Sequence, residues 1–137
     1  QELPNLIPRS GDGEALRWFA LAQAPEPFAI IRRDGAWYSM KSKNGRRVDN
    51  NLIRLGQGRV PAYAAFEKNR ELVQEAEEAI DAIVTREGAV RVASILKEYA
   101  DSLSKQMTGV GDAAVKDQVE HEVMAIEDYV RRMETLS

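Results

Sequence analysis

No proline follows Pro61 in this 137-residue chain, and the apolar residues beyond it form three stripes that one straight helix cannot carry. The first stripe is Phe66, Leu72, Val73, Ala76, Ala79, Ile80 and Ile83; the second is Val92, Ile95, Leu96, Tyr99 and Leu103. At about 100° per residue the second lies roughly half a turn from the first, so a continuous rod through Gly88 would present two opposed sticky faces. A turn at "TREG", residues 85–88, removes the conflict, and "TGVG" at 108–111 supplies a second break. Asp112 can then cap a third helix striped by Val115, Val119, Val123, Ile126, Val130 and Met133. Three antiparallel helices with short turns bury such stripes as a bundle. The first spans about 62–86, with Pro61 at its first position, and at about 25 residues would be roughly 37 Å long.

Upstream of Pro61 the language changes. "QELPNLIPRSGDG" is an irregular arm in which Leu3, Leu6 and Ile7 are the anchors. Asp12 can cap a short helix over "GEALRWFALAQA", which turns Leu16, Phe19 and either Ala20 or Ala22 inward and leaves Trp18 near the edge. "PEP" at 25–27 ends it. Phe28–Arg33 and Ala36–Met40 then read as strands flanking Asp34-Gly35, the two-residue signal of a type I′ hairpin. One side of that hairpin completes the core, with Ile31 and Trp37 assigned to one face and Tyr38 to the other. Asn44-Gly45 marks a second turn into a short third strand at "RRV", and "DNNLIRLGQGRV", residues 49–60, reads as a linker that docks Leu52, Ile53 and Leu55. No strand–helix–strand repeat occurs, so the fold class is α+β rather than α/β. The expected architecture is a short N-terminal helix and a hairpin or three-stranded meander, packed with the C-terminal bundle. Residues 1–60 and 61–137 would share one core.

Charge divides at the same boundary. Residues 1–60 carry 10 Lys/Arg against 6 Asp/Glu, and residues 61–137 carry 9 against 16. Within residues 30–60 the count is 8 against 2, so the basic character belongs to the hairpin region. The chain has no cysteine, which removes disulfides, thiolate metal sites and a cysteine nucleophile. No apolar run is long enough to span a membrane, and the expected chain is soluble and compatible with a cytoplasm, its compartment left open. An opening at Gln1 also fits a domain cut from a longer protein.

Catalytic signatures are weak. His121 has Asp117 four residues before it, which gives two ligands and no complete metal site, and Gln118 breaks the Glu-x-x-His pattern. Glu67, Glu71, Glu75 and Glu78 fall opposite the first stripe, as a solvated acidic face that could dock basic groups, including the chain's own. "GQGR" at 56–59 and "GVG" at 109–111 lack the strand-to-helix setting of a phosphate loop. No cofactor, metal or enzymatic activity is expected. Residues 28–42 resemble the paired strands after the catalytic histidine of papain-like peptidases, but Pro27 and Lys41 stand where the histidine and an acidic residue would be. The resemblance transfers no residue.

The remaining candidate surface is Arg32, Arg33, Trp37, Tyr38, Lys41, Lys43, Arg46 and Arg47. Lys and Arg at a strand edge suppress unwanted pairing and steer an acidic partner, while an exposed aromatic anchors it. A nucleic acid would use the same cations for phosphate contact and an aromatic for stacking. Consecutive Trp37 and Tyr38 point to opposite faces of a strand and cannot together form a two-base platform. The first expectation is therefore a noncatalytic protein-interaction or structural module, with Tyr63, Tyr99 and Tyr129 on surfaces that serve bundle packing or self-association. The second is nucleic-acid binding through the same hairpin.

Overall fold

The described residues of the computed structural model, 14–42 and 52–136, form five helices and one three-stranded antiparallel sheet. In chain order these are α1 (Glu14–Leu21), β1 (Ile31–Asp34), β2 (Trp37–Lys41), β3 (Leu52–Gln57), α2 (Arg59–Lys68), α3 (Arg70–Glu87), α4 (Ala89–Met107) and α5 (Ala113–Leu136). The α+β class holds.

The two longest helices follow their apolar stripes. Val119, Val123, Ile126, Val130 and Met133 of α5 are buried, as are Val92, Leu96 and Leu103 of α4. Lys97 on α4 pairs with Glu134 on α5, while Ser104 and Glu127 line the same groove between the helices, so the two run antiparallel. Gly88 makes the α3–α4 turn with φ 93°, and Asp112 Oδ1 accepts from the backbone N–H groups of Ala114 and Val115 at 2.9 and 3.3 Å, capping α5. These are the breaks that the stripes require.

The first long helix is divided. Asn69 adopts an extended backbone and its side chain accepts from the N–H groups of Glu71 and Leu72, starting α3 as a separate helix. Asparagine is a preferred N-cap because its short side chain satisfies donors that have no intrahelical partner. The apolar spacing runs on across the break, which hides it. α2 begins at Arg59, placing Pro61 inside its first turn.

α1 is the central peg. It packs on α2, α3 and α5, as a short N-terminal helix set against the later helices. Its neighbouring rings serve two sides. Phe19 meets Tyr38, Tyr63 and Phe66 at centroid distances of 6.5, 5.3 and 5.4 Å, whereas Trp18 meets Tyr129 edge-on at 5.9 Å. Trp18 is therefore buried rather than near the edge, and Leu16 is only half-buried. One cluster of buried apolar side chains continues from the sheet through α1 to α5.

The hairpin turn is displaced by one residue. Asp34 pairs with Trp37, so Gly35 and Ala36 form the loop, and only Gly35 has positive φ, at 63°. That is the pattern of a II′ turn rather than I′. Cross-strand partners share a face, and Ile31 lies opposite Met40. Ile31, Tyr38 and Met40 all point inward and Trp37 outward, which corrects the grouping of Ile31 with Trp37. The third strand is Leu52–Gln57, inside the stretch read as a linker; the expected strand at "RRV" lies outside the described residues. A bulge opposite Tyr38 and Ser39 breaks the alternation of β3 and turns Gly56 toward α2. A Cβ on Gly56 would approach the backbone nitrogen of Ala62 to 3.1 Å, so any larger residue there would push β3 and α2 apart by a few tenths of an ångström.

Candidate interaction face

The register assembles a basic row on the outer side of the sheet. Arg32 of β1 lies opposite Ser39 of β2, which lies opposite Arg54 of β3. With strands about 4.8 Å apart, the two arginines flank Ser39 at a backbone separation of about 10 Å. Trp37 and Lys41 occupy the same face, two residues to either side of Ser39. Arg32, Trp37, Lys41 and Arg54 are all exposed, Trp37 at 38%, whereas Tyr38 on the inner face is 4% exposed.

Arg54 completes this face and was hidden in the supposed linker. Its guanidinium carbon sits 4.6 Å from the Trp37 ring centroid, a cation–π contact that holds one ring face and orients the indole. Arg32 Nε donates to the Ala29 carbonyl at 3.4 Å and its Nη2 lies 4.0 Å from Glu26, both at the surface. Arg33 is exposed near the turn, opposite Tyr38 in register. Lys43, Arg46 and Arg47 lie outside the described residues. Ser42, just before that stretch, is buried and donates its hydroxyl to Glu75 at 3.0 Å, tying the end of β2 to α3.

The acidic residues do not form one continuous face. Glu67 ends on α2, beside Tyr63, whereas Glu71, Glu75 and Glu78 follow the Asn69 break on α3. Glu75 is half-buried and receives Ser42, and Glu78 accepts from Gln74 at 3.3 Å. His121 is exposed, its Nδ1 2.8 Å from the Asp117 carbonyl, as an ordinary helix-surface contact. Among the described residues no group of three or more His, Asp or Glu could hold a metal ion, and no helix is long and apolar enough to cross a membrane.

Behind the sheet lies a buried ion pair. Glu122 of α5 is fully buried, and Arg59 at the start of α2 donates Nε to Oε2 at 3.0 Å and Nη2 to Oε1 at 2.6 Å. Gln118 donates to Oε2 at 2.9 Å, and Gln23 lies 3.5 Å from Oε1. Burial alone would lower the Arg59 pKa, but the hydrogen bond and charge of Glu122 outweigh it and raise the net value. A two-pronged, desolvated guanidinium–carboxylate pair of this kind holds orientation as well as charge.

Tyr63, Tyr99 and Tyr129 pack half-buried against the core, which is their place in the fold. Burial pushes each phenol up to about 12, with Glu67 adding to the rise at Tyr63 and Asp81 at Tyr129, while Arg59 opposes it at Tyr99. An unfolded tyrosine titrates near 10, so between about pH 10 and about pH 12 the unfolded chain releases phenolic protons that the folded chain retains. The stabilisation is complete below that window and is lost as pH rises through it. Urea midpoints measured against pH should fall across this range, with tyrosinate absorbance lagging until unfolding. Half-ionisation of these phenols near pH 10 in a folded chain would contradict it.

Residues 26–85 match the family of the RecA C-terminal domain. The match begins at the turn before β1, takes in the sheet and α2, and ends in the last turn of α3; α1, α4 and α5 lie outside it. It covers less than half of the chain and contains the whole outer sheet face. Neither the curated proteins nor the solved structures provide a match.

Proposed function

We propose that this chain is a noncatalytic interaction module of a RecA-like protein, and that its outer sheet face docks the phosphate backbone of a nucleic acid. The carrying observation is the Arg32–Ser39–Arg54 row with Trp37 beside it, uncovered among the described residues. Two arginines and Lys41 on one exposed sheet face are fork and point donors for phosphate oxygens. Tyr38 on the inner side packs against Phe19 of α1, so the helices lie behind the sheet and away from this face. Because Tyr38 is buried and Arg54 occupies one face of Trp37, the surface offers at most one stacking ring. Backbone contact supplies most of the affinity, and base identity contributes little.

An acidic protein surface is the second reading, favoured by the carboxylate of Glu26 already beside Arg32. The two separate in a fluorescence anisotropy titration against random-sequence duplex DNA, single-stranded DNA and RNA, and an acidic peptide of matched charge. Nucleic acid should bind at low salt with a log K against log salt slope that becomes shallower by about 2 in Arg32→Ala/Arg54→Ala, since each lost phosphate contact removes about 0.9. Absence of low-salt binding to any of the nucleic acids would sink the first reading. Binding that the double variant leaves unchanged would move the site elsewhere.

A further inference from the structure

The fully buried Glu122 belongs to α5, outside the matched stretch, yet the residue it grips starts the helix that follows the sheet. Arg59 is bonded directly to Gly58, and the Gly58 N–H donates to the Ala36 carbonyl at 2.7 Å. Ala36 is the second loop residue of the β1–β2 turn and precedes Trp37, which pairs with Gln57 of β3. Trp37 in turn lies against Arg54. A short physical path therefore runs from α5 through Arg59, Gly58 and Ala36 to the aromatic end of the outer face. Tyr38, next along β2, is buried on the same inner side.

We propose that Glu122, by fixing Arg59, is a positioning residue for the Trp37 end of the interaction face. Its functional consequence rests on the docking role assigned to that face. Without this pair the apolar contacts of α2 and the backbone bonds of Gly58 would still seat the helix, but no side-chain bond would tie its first residue to α5. Gly58, at φ 97° and with no side chain, cannot hold that point by packing. A bidentate Arg–carboxylate contact supplies the missing orientation. Replacing a buried ion pair by apolar residues of similar volume often preserves stability, which allows positioning to be separated from folding.

The variant for this is Arg59→Met/Glu122→Leu, with Arg59→Lys as a second that keeps the charge and loses the fork. Amide exchange is read at Gly58 against Leu96 of α4, alongside anisotropy with duplex DNA at low salt. In the folded variants Gly58 should exchange about tenfold faster relative to Leu96, as expected for a local opening that leaves the rest of the fold closed. Affinity should fall about fivefold, with an unchanged salt slope because the three outer cations remain. Unchanged relative exchange at Gly58, or faster exchange with unchanged affinity, would overturn the proposal. If wild-type protein binds no nucleic acid, the docking reading falls while the Gly58 exchange still decides whether the pair positions the turn. Should the apolar pair not fold, the lysine variant is judged by the same two readouts.

Discussion

Replacing Glu122 with alanine is expected to remove about 3–5 kcal/mol of stability, the usual result of stranding one partner of a buried ion pair. Arg59 would keep a guanidinium whose side chain is only 11% exposed, and Gln118 would lose its acceptor. A domain of this size is ordinarily stable by about 5–15 kcal/mol, so the loss is a large share of the total. Urea denaturation followed by far-ultraviolet circular dichroism gives the number directly. Arg59→Ala should cost a similar amount, because it leaves a wholly buried carboxylate, whereas the paired apolar replacement should cost much less. That ordering separates a penalty for an unpaired charge from the intrinsic worth of the pair. A loss below about 1 kcal/mol in Glu122→Ala would mean that water or a rearranged side chain reaches Arg59.

This pair is hard to read from the sequence because its partners lie far apart along the chain. Arg59 and Glu122 are 63 residues apart, and a glutamate in "VEHEVMA" reads as surface. One signal was present. Position 122 lies three after Val119 and four before Ile126, inside the apolar stripe, where a charge demands a partner. The stripes of α4 and α5 and the turn at Gly88 were legible because amphipathic periodicity depends on local spacing alone. β3 does not read as a strand because "LIRLGQ" contains a bulge, so its inward and outward residues do not alternate. Arg54 disappeared with it. The opposed directions of Trp37 and Tyr38 followed from strand geometry, but which of them faced the core depended on packing against Phe19, which no local pattern encodes.

Phe19→Ala is expected to cost about 3–5 kcal/mol, as large-to-small changes of a buried aromatic do. Its side chain has no exposure and its ring touches those of Tyr38, Tyr63 and Phe66, so truncation opens a void bounded by the sheet, α1 and α2 together. Such a void cannot close by moving one element, because the same short helix holds Trp18 against Tyr129 on the opposite side. The half-buried Leu16 on the same helix is the control, and Leu16→Ala should lose clearly less. Chemical denaturation compares the two, and near-ultraviolet circular dichroism should show the Phe19 variant losing aromatic asymmetry before the helices melt. Equal losses for the two variants would mean that α1 contributes through general burial. A larger loss at Phe19 would identify this ring as the link through which the sheet behind the basic face depends on a helix outside the matched stretch.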